Sequence, residues 1–279
     1  MRNIFLGIIV FICLFLIIVG HWHWKSEIQK HSKTAQATDE SIIDEKTVHY
    51  NDDPEEAAKT GQTADKTADI KKLTASLPDD VKNIIASAYD QHKTINMVIA
   101  GGKGIGGLAA DLESRLNKAY GEGTFKVTEV NFADKTSLEV LGNELYLPIE
   151  KQSPDIVVFT SLLINDSGKV STLDSATVPL SIRNKIIESH PNTVFMVEPP
   201  NPVTFNEVIN ERVDEVKTET SQAGVTYIDH FSKWPAGEAL ASDLDEEGIN
   251  PNEQGLDFWA DLLANYFTSK ASEHIGPIG

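Results

Sequence analysis

Cysteine is almost absent: Cys13 is the only one in 279 residues, so neither a disulfide nor a paired-thiolate metal site can form within the chain. Basic charge is scarce as well. With 24 Lys and Arg against 42 Asp and Glu, the formal net charge is −18. No block of cations is present that would track a phosphate backbone, so nucleic acid is not an expected partner. No internal repeat is visible, and no His, Asp and Glu cluster has metal-ligand spacing, so no metal is expected. Residues 1–75 are too polar and patchy to supply a core of their own. What remains is one globular domain of about 200 residues.

One apolar run stands out in that first stretch. From Ile4 to Gly20 the chain reads IFLGIIVFICLFLIIVG, 17 residues without a charge, the short end of what spans a bilayer as a helix. Trp22 and Trp24 follow it and suit an interfacial aromatic belt, with Lys25 beside them. No small-x-small cleavage site follows, so an uncleaved anchor over 1–25 is expected rather than a removed signal peptide. Arg2 on one side and Lys25, Lys30 and Lys33 on the other leave orientation open by charge. A short head, one span and a long polar stalk resemble bacterial surface proteins, and by that resemblance the domain is expected outside the cell membrane. Residues 26–75, rich in Lys, Thr, Asp, Glu, Gln and Ala without an apolar period, read as a flexible stalk.

The domain is expected over 76–279. Ser76 and Asp79 have capping-box spacing, and Val81, Ile84, Ile85, Ala88 and Tyr89 then recur at helical intervals. Beyond them, strand-like runs alternate with amphipathic stretches: Ile95 to Ala100, Phe125 to Phe132, Asp155 to Thr160, Thr193 to Val197 and Val225 to Ile228. Helices are expected over Leu108 to Tyr120, Thr136 to Leu147, Leu180 to Ser189, Phe205 to Ala223 and Glu253 to Phe267. That alternation predicts an α/β fold, three layers deep, with five parallel strands. In such a sheet, ligands bind beyond the carboxyl ends of the strands, which selects the loops to inspect.

The first of these loops, GGKGIGG, has Gly102, Gly104 and Gly107 at G-x-G-x-x-G spacing between a strand and a helix. A dinucleotide site also wants an acid near the end of the second strand. Glu129 falls inside that strand and Asp134 lies 27 positions past Gly107, so the fit is loose. A tight turn is the expected role, and no cofactor is predicted.

The last loop, EEGINPNEQGLDFWADLLANYF, resembles the closing motif of the SGNH/GDSL hydrolases, in which D-x-x-H-P-N precedes a Gly and a C-terminal helix. Glu247, Asn250, Pro251, Asn252 and Gly255 fall on that pattern, and the resemblance spans about Ile95 to Phe267. It implies a flavodoxin-like SGNH hydrolase fold and an esterase ancestry. The family opens with G-D-S, whose Ser attacks an ester after a His takes its proton. Here Gly101, Gly102 and Lys103 occupy that place, and Asn250 stands where the His would be. An amide cannot take and return a proton, so nucleophile and base are both missing. Glu247 takes the place of the orienting Asp. The family's second-block Gly falls near Asp134 or Lys135, leaving Asn165 as the matching oxyanion donor.

The resemblance therefore implies a degenerate member, tethered to a membrane, that binds an acylated glycan or polymer of the cell envelope. Gly101, Gly102, Lys103, Asp134, Asn165 and Asn250 are the expected ligand-binding residues. Three rivals stand beside it. They are an active esterase with a relocated site, drawing on Ser161, Ser167 or His230, a Rossmann-type nucleotide-binding domain, and an assembly protein. His230 is expected at the surface or capping a helix, and His190 between a helix and a strand.

Overall fold

The computed structural model describes residues 69–204 and 207–269, so the apolar run at 4–20 and the stalk lie almost wholly outside the described residues. Among the described residues, no helix is long and apolar enough to cross a membrane. Five strands, β1 (Ile95–Gly101), β2 (Phe125–Asn131), β3 (Ile156–Thr160), β4 (Val194–Glu198) and β5 (Thr226–Tyr227), form one sheet in the order β2-β1-β3-β4-β5. Every pairing is parallel. The helices are α1 (Asp79–Gln91), α2 (Leu108–Tyr120), α3 (Ser137–Gly142), α4 (Leu147–Glu150), α5 (Leu163–Asp166), α6 (Thr172–Ser189), α7 (Glu207–Gln222), α8 (Glu238–Ser242) and α9 (Glu253–Phe267).

Strand periodicity sorts the core into two layers. Met97, Ile99, Ile156, Val158, Val194 and Met196 face one way, onto Leu112 and Leu116 of α2 and Trp259 and Leu263 of α9. Val98, Ala100, Val157, Phe159, Phe195 and Val197 face the other way, onto Val140, Ile182, Ile186 and Val213. Strands β3 and β4 are buried at every position, which is why they read as unbroken apolar runs. The core also takes in Ile70 and Leu77, ahead of α1.

Four local expectations change. Helix α6 begins at Thr172, eight positions before Leu180, and carries Pro179 inside it. Its N-cap, Ser171, accepts from the Asp174 N–H, and burial of Ala176, Val178 and Pro179 outweighs the missing proline N–H. The single helix expected over 136–147 is split into α3 and α4 at Glu144, whose φ of 54° no helix continues through. Strand β5 has only two paired residues, because just Met196 and Val197 of β4 reach it. The capping box is absent at Ser76, whose hydroxyl meets Ser269, and α1 starts behind Pro78 instead. A complete box exists at α3, where Thr136 and Glu139 cap each other.

The strand order reverses direction between β1 and β3, so the crevice there is the topological switch point of the sheet. The loops after β1, β3 and β4 meet the 245–251 loop at that point.

Candidate functional site

The cleft at the switch point is lined by Gly102, Gly104, Ser161, Asn165, Asn201 and Asn250, with Trp259 and Thr160 among its other walls. It encloses about 20 Å³, room for one water molecule. Gly101 ends β1 because a Cβ there would lie 2.9 Å from the Thr160 side chain. At Gly102, in extended backbone, a Cβ would lie 2.9 Å from Asn165 Oδ1. Lys103 follows, exposed, in a short 3-10 turn.

Neither the Asn165 amide nor the Lys103 backbone N–H is left free. The Lys103 N–H donates to the Ala133 carbonyl at 3.2 Å, and Asn165 Nδ2 donates to the same carbonyl and to the Lys135 carbonyl, each at 2.8 Å. Ala133 reaches this position with a φ of 52°, held by its own N–H on Asn131 Oδ1 at 2.8 Å. The chain's own carbonyl thus sits where both donors converge. Asn165 is brought to the cleft as expected, but its N–H groups are committed and only its Oδ1 is presented. Asp134 is exposed and, like Gly101 and Lys103, is not among the residues that line the cleft.

At the last loop, Asn250 lines the cleft, but Glu247 does not orient it: Glu247 is exposed. Asp245 holds Asn250 instead, accepting from Asn250 Nδ2 at 2.8 Å and from the Ile249 N–H at 3.0 Å. Its own N–H donates to the Asn250 carbonyl at 2.8 Å, and Leu244 bridges Pro251, so 245–250 is a closed loop. Burial pushes the Asp245 carboxyl up, but these hydrogen bonds and the nearby Lys103 charge together hold it below its usual value. The amide of Asn201, in the proline-rich 198–202 loop at the ligand edge of the sheet, bridges Pro202 and Ile249 carbonyls at 2.8 and 2.7 Å.

Beneath the cleft lies a buried polar cluster. Glu198, at the end of β4 and fully buried, accepts from Thr160 Oγ1 at 2.7 Å. Burial raises its pKa to about 8, against weaker pulls from the Thr160 hydroxyl and the Trp259 indole. His230 lies with Nε2 3.7 Å from Glu198 Oε2. Far from being a surface residue, His230 is 2 % exposed and stacks on Trp259 with ring centroids 4.7 Å apart. Its Nε2 hydrogen goes to the Pro199 carbonyl at 2.7 Å, and its Nδ1 accepts from Trp234 Nε1 at 3.1 Å. Burial lowers its pKa to about 4, against the Pro199 carbonyl and the Asp229 charge. At neutral pH the pair is an acid and a neutral imidazole, with no ion pair between them. Both ring nitrogens are committed, so His230 cannot serve a relocated triad.

Of the two serines weighed with it, Ser161 lines the cleft and Ser167 does not. His190 is the C-cap of α6, between helix and strand as expected. The Gly101–Gly107 loop is the predicted turn, and the anion place at the start of α2 is filled from within. Glu129 Oε2 accepts the Gly107 N–H at 2.9 Å, at the spot a pyrophosphate would need. Among the described residues, no group of three His, Cys, Asp or Glu side chains is arranged to hold a metal.

No family model and no curated protein matches the sequence. Solved structures do. A putative GDSL-like lipase from Parabacteroides merdae superposes with a TM-score of 0.53 at 12 % identity, covering 63 % of this chain and 97 % of that one. A carbohydrate esterase family 3 protein from Talaromyces cellulolyticus gives 0.52 at 14 %, covering 63 % and 97 %. The fold is that of the SGNH/GDSL hydrolases. A mutant acetyl esterase with bound acetate gives 0.53 at 14 % identity, again covering 63 % and 97 %. Identity this low carries the SGNH fold alone, and the chemistry rests on the residues of the cleft.

Proposed function

We propose that this protein is a membrane-tethered, non-hydrolytic binding domain on an SGNH hydrolase scaffold, which holds an acylated glycan or polymer at the cell envelope without cleaving it. The observation that carries the reading is the Ala133 carbonyl. It accepts from both the Lys103 N–H and Asn165 Nδ2, so neither of these two donors is left free to stabilise an ester's tetrahedral oxyanion. Three further features support it: lysine in the nucleophile's place, an amide in the base's place, and a cleft with room for one water. The glycan follows from the company the fold keeps, since solved proteins that share it are described as a carbohydrate esterase and an acetyl esterase. The tether follows from the charge-free run at 4–20.

The test is full-length protein in detergent or nanodiscs with p-nitrophenyl acetate. Release of nitrophenolate should match that of the Lys103→Ala variant and of empty nanodiscs. Turnover clearly above both would overturn the reading. Flotation of the full chain with membranes, its N-terminus intact, is the matching expectation for the anchor.

A further inference from the structure

Three asparagines line the cleft, and all three face it the same way. Asn165 Nδ2 donates to the Ala133 and Lys135 carbonyls, Asn201 Nδ2 to the Pro202 and Ile249 carbonyls, and Asn250 Nδ2 to Asp245 Oδ2. Every one of these bonds is 2.7–2.8 Å long and ends on an oxygen. Turning any of the amides over would set oxygen against oxygen, so the orientation of each is fixed by its partners. The three Oδ1 atoms are therefore left on the glycine turn. A Cβ on Gly102 would lie 2.9 Å from Asn165 Oδ1, and one on Gly104 would lie 3.1 Å from Asn201 Oδ1 and 3.9 Å from Asn250 Oδ1. Asn201 is 1 % exposed, and its Oδ1 has no hydrogen-bond partner. Ser161 Oγ, in the same wall and 1 % exposed, has none either.

The cup thus presents acceptors, the opposite polarity to the donors an ester oxyanion needs. A buried acceptor without a partner has lost its hydrogen bond to water, which a donating ligand group would restore. An ester or acyl group has no hydrogen to give. A cation can also satisfy acceptor oxygens, but here it would meet the Lys103 charge, whose field already reaches Asp245 at the rim. A hydroxyl donates, accepts in return from Ser161 Oγ, and fits a space sized for one water.

We infer that the Asn165, Asn201 and Asn250 cup recognises free hydroxyl groups of a polyol or saccharide, not its ester groups. The assignment rests on the non-hydrolytic reading above and names the part of the glycan that the cleft grips.

The full-length protein in nanodiscs, labelled on side-chain amides, is titrated with glycerol and with triacetin while its NMR signals are followed. Glycerol should shift the Asn201 and Asn250 amide signals saturably, and triacetin should bind at least tenfold more weakly. Asn201→Ala should weaken glycerol at least tenfold. Because that change also removes two loop hydrogen bonds, Gly104→Ala serves beside it: its methyl enters the cup 3.1 Å from Asn201 Oδ1 and removes no hydrogen-bonding group. It should weaken glycerol comparably. Absence of a saturable glycerol response, or affinity unchanged in both variants, would overturn the assignment. So would triacetin binding intact and as tightly as glycerol, which leaves the non-hydrolytic reading standing. Triacetin hydrolysis would overturn both.

Discussion

Two polar clusters sit at the carboxyl edge of the sheet, a few residues apart in sequence and opposite in chemistry. The cleft holds amides and glycines around space for one water, with Lys103 exposed beside it, and the amide side chains there cannot titrate. The layer beneath holds a carboxyl and an imidazole, but burial moves both pKa values so far that neither carries charge near pH 7. A hydrolase of this fold needs a titrating group where it can reach a substrate. Here the Glu198 carboxyl and His230 imidazole are locked in the core, and the amides that line the cleft are inert. The difference separates a packed, buried polar layer from a cleft whose lining residues include no imidazole or carboxyl.

The strongest way to break the comparison is to remove the shared wall. Trp259 is fully buried, stacks on His230, and also lines the cleft. Trp259→Ala should cost about 3–5 kcal/mol by cavity formation, read as a lower midpoint in urea. A loss below about 1 kcal/mol would mean that the lower cluster collapses freely and is not a rigid floor.

Next comes pH. For Glu198 the folded pKa, about 8, lies above its ordinary 4.5, so its contribution is full below 4.5 and is lost as pH rises toward 8. For His230 the folded value, about 4, lies below 6.5, so its contribution is full above 6.5 and is lost as pH falls toward 4. Between about 4.5 and 6.5 the two slopes oppose each other. From 6.5 to 8 only Glu198 acts, and stability should fall by about 2 kcal/mol at roughly 1.4 kcal/mol per pH unit. Denaturant melts at pH 6.5 and 8 should show this fall in the parent and lose it in Glu198→Gln. Equal slopes in the two proteins would place an ionised carboxylate in the core and contradict the burial argument.

The third change rebuilds the lost chemistry. Lys103→Ser with Asn250→His restores a nucleophile and an imidazole, and Asp245, not Glu247, is placed to orient the latter. Turnover should still stay at background, because the Ala133 carbonyl continues to occupy the oxyanion donors. Adding Gly102→Asp should make matters worse, since its Cβ would press on Asn165 Oδ1, at a cost of about 1–3 kcal/mol by overpacking. Ester hydrolysis by the double variant would show that Ala133 yields to a substrate.

How far these regions were legible in the sequence follows the same division. Three of the five strands announce themselves because β1, β3 and β4 are buried on both faces, so their apolar runs need no partner to be recognised. The rule for parallel sheets then selects the right loops. Side-chain roles inside them were less legible. Glu247 has the motif's spacing, yet Asp245 makes the contact, because loop closure by the Asp245 N–H and the Leu244–Pro251 bridge decides which carboxylate turns inward. His230 reads as a surface residue because a two-residue strand and a polar flank surround it, and only the packing of Trp234 and Trp259 buries it. The Asn165 and Asn201 amides are turned by carbonyls 30 to 48 positions away, which no local pattern encodes, and only Asn250 has its partner, Asp245, near in sequence.

The smallest expected effect sharpens the boundary between the clusters. Ser161 follows β3, is 1 % exposed, and lines the cleft, and its Oγ has no partner while its N–H donates to the Glu198 carbonyl at 2.8 Å. Ser161→Ala removes only the unpaired hydroxyl and keeps the backbone bond, so the change in stability should lie within about 0.5 kcal/mol of zero, because deleting an unsatisfied polar atom relieves as much as it removes. Were Ser161 instead a relocated nucleophile, a base would have to reach it. His230 has both nitrogens committed, and Glu198 is a neutral acid at pH 7 that already binds Thr160. A melt and a p-nitrophenyl acetate assay on the same sample separate the cases: an unchanged melt with background turnover in parent and variant is the expected pair. A parent activity that disappears in Ser161→Ala with the melt unmoved would place working chemistry in the cleft and erase the contrast between its two layers.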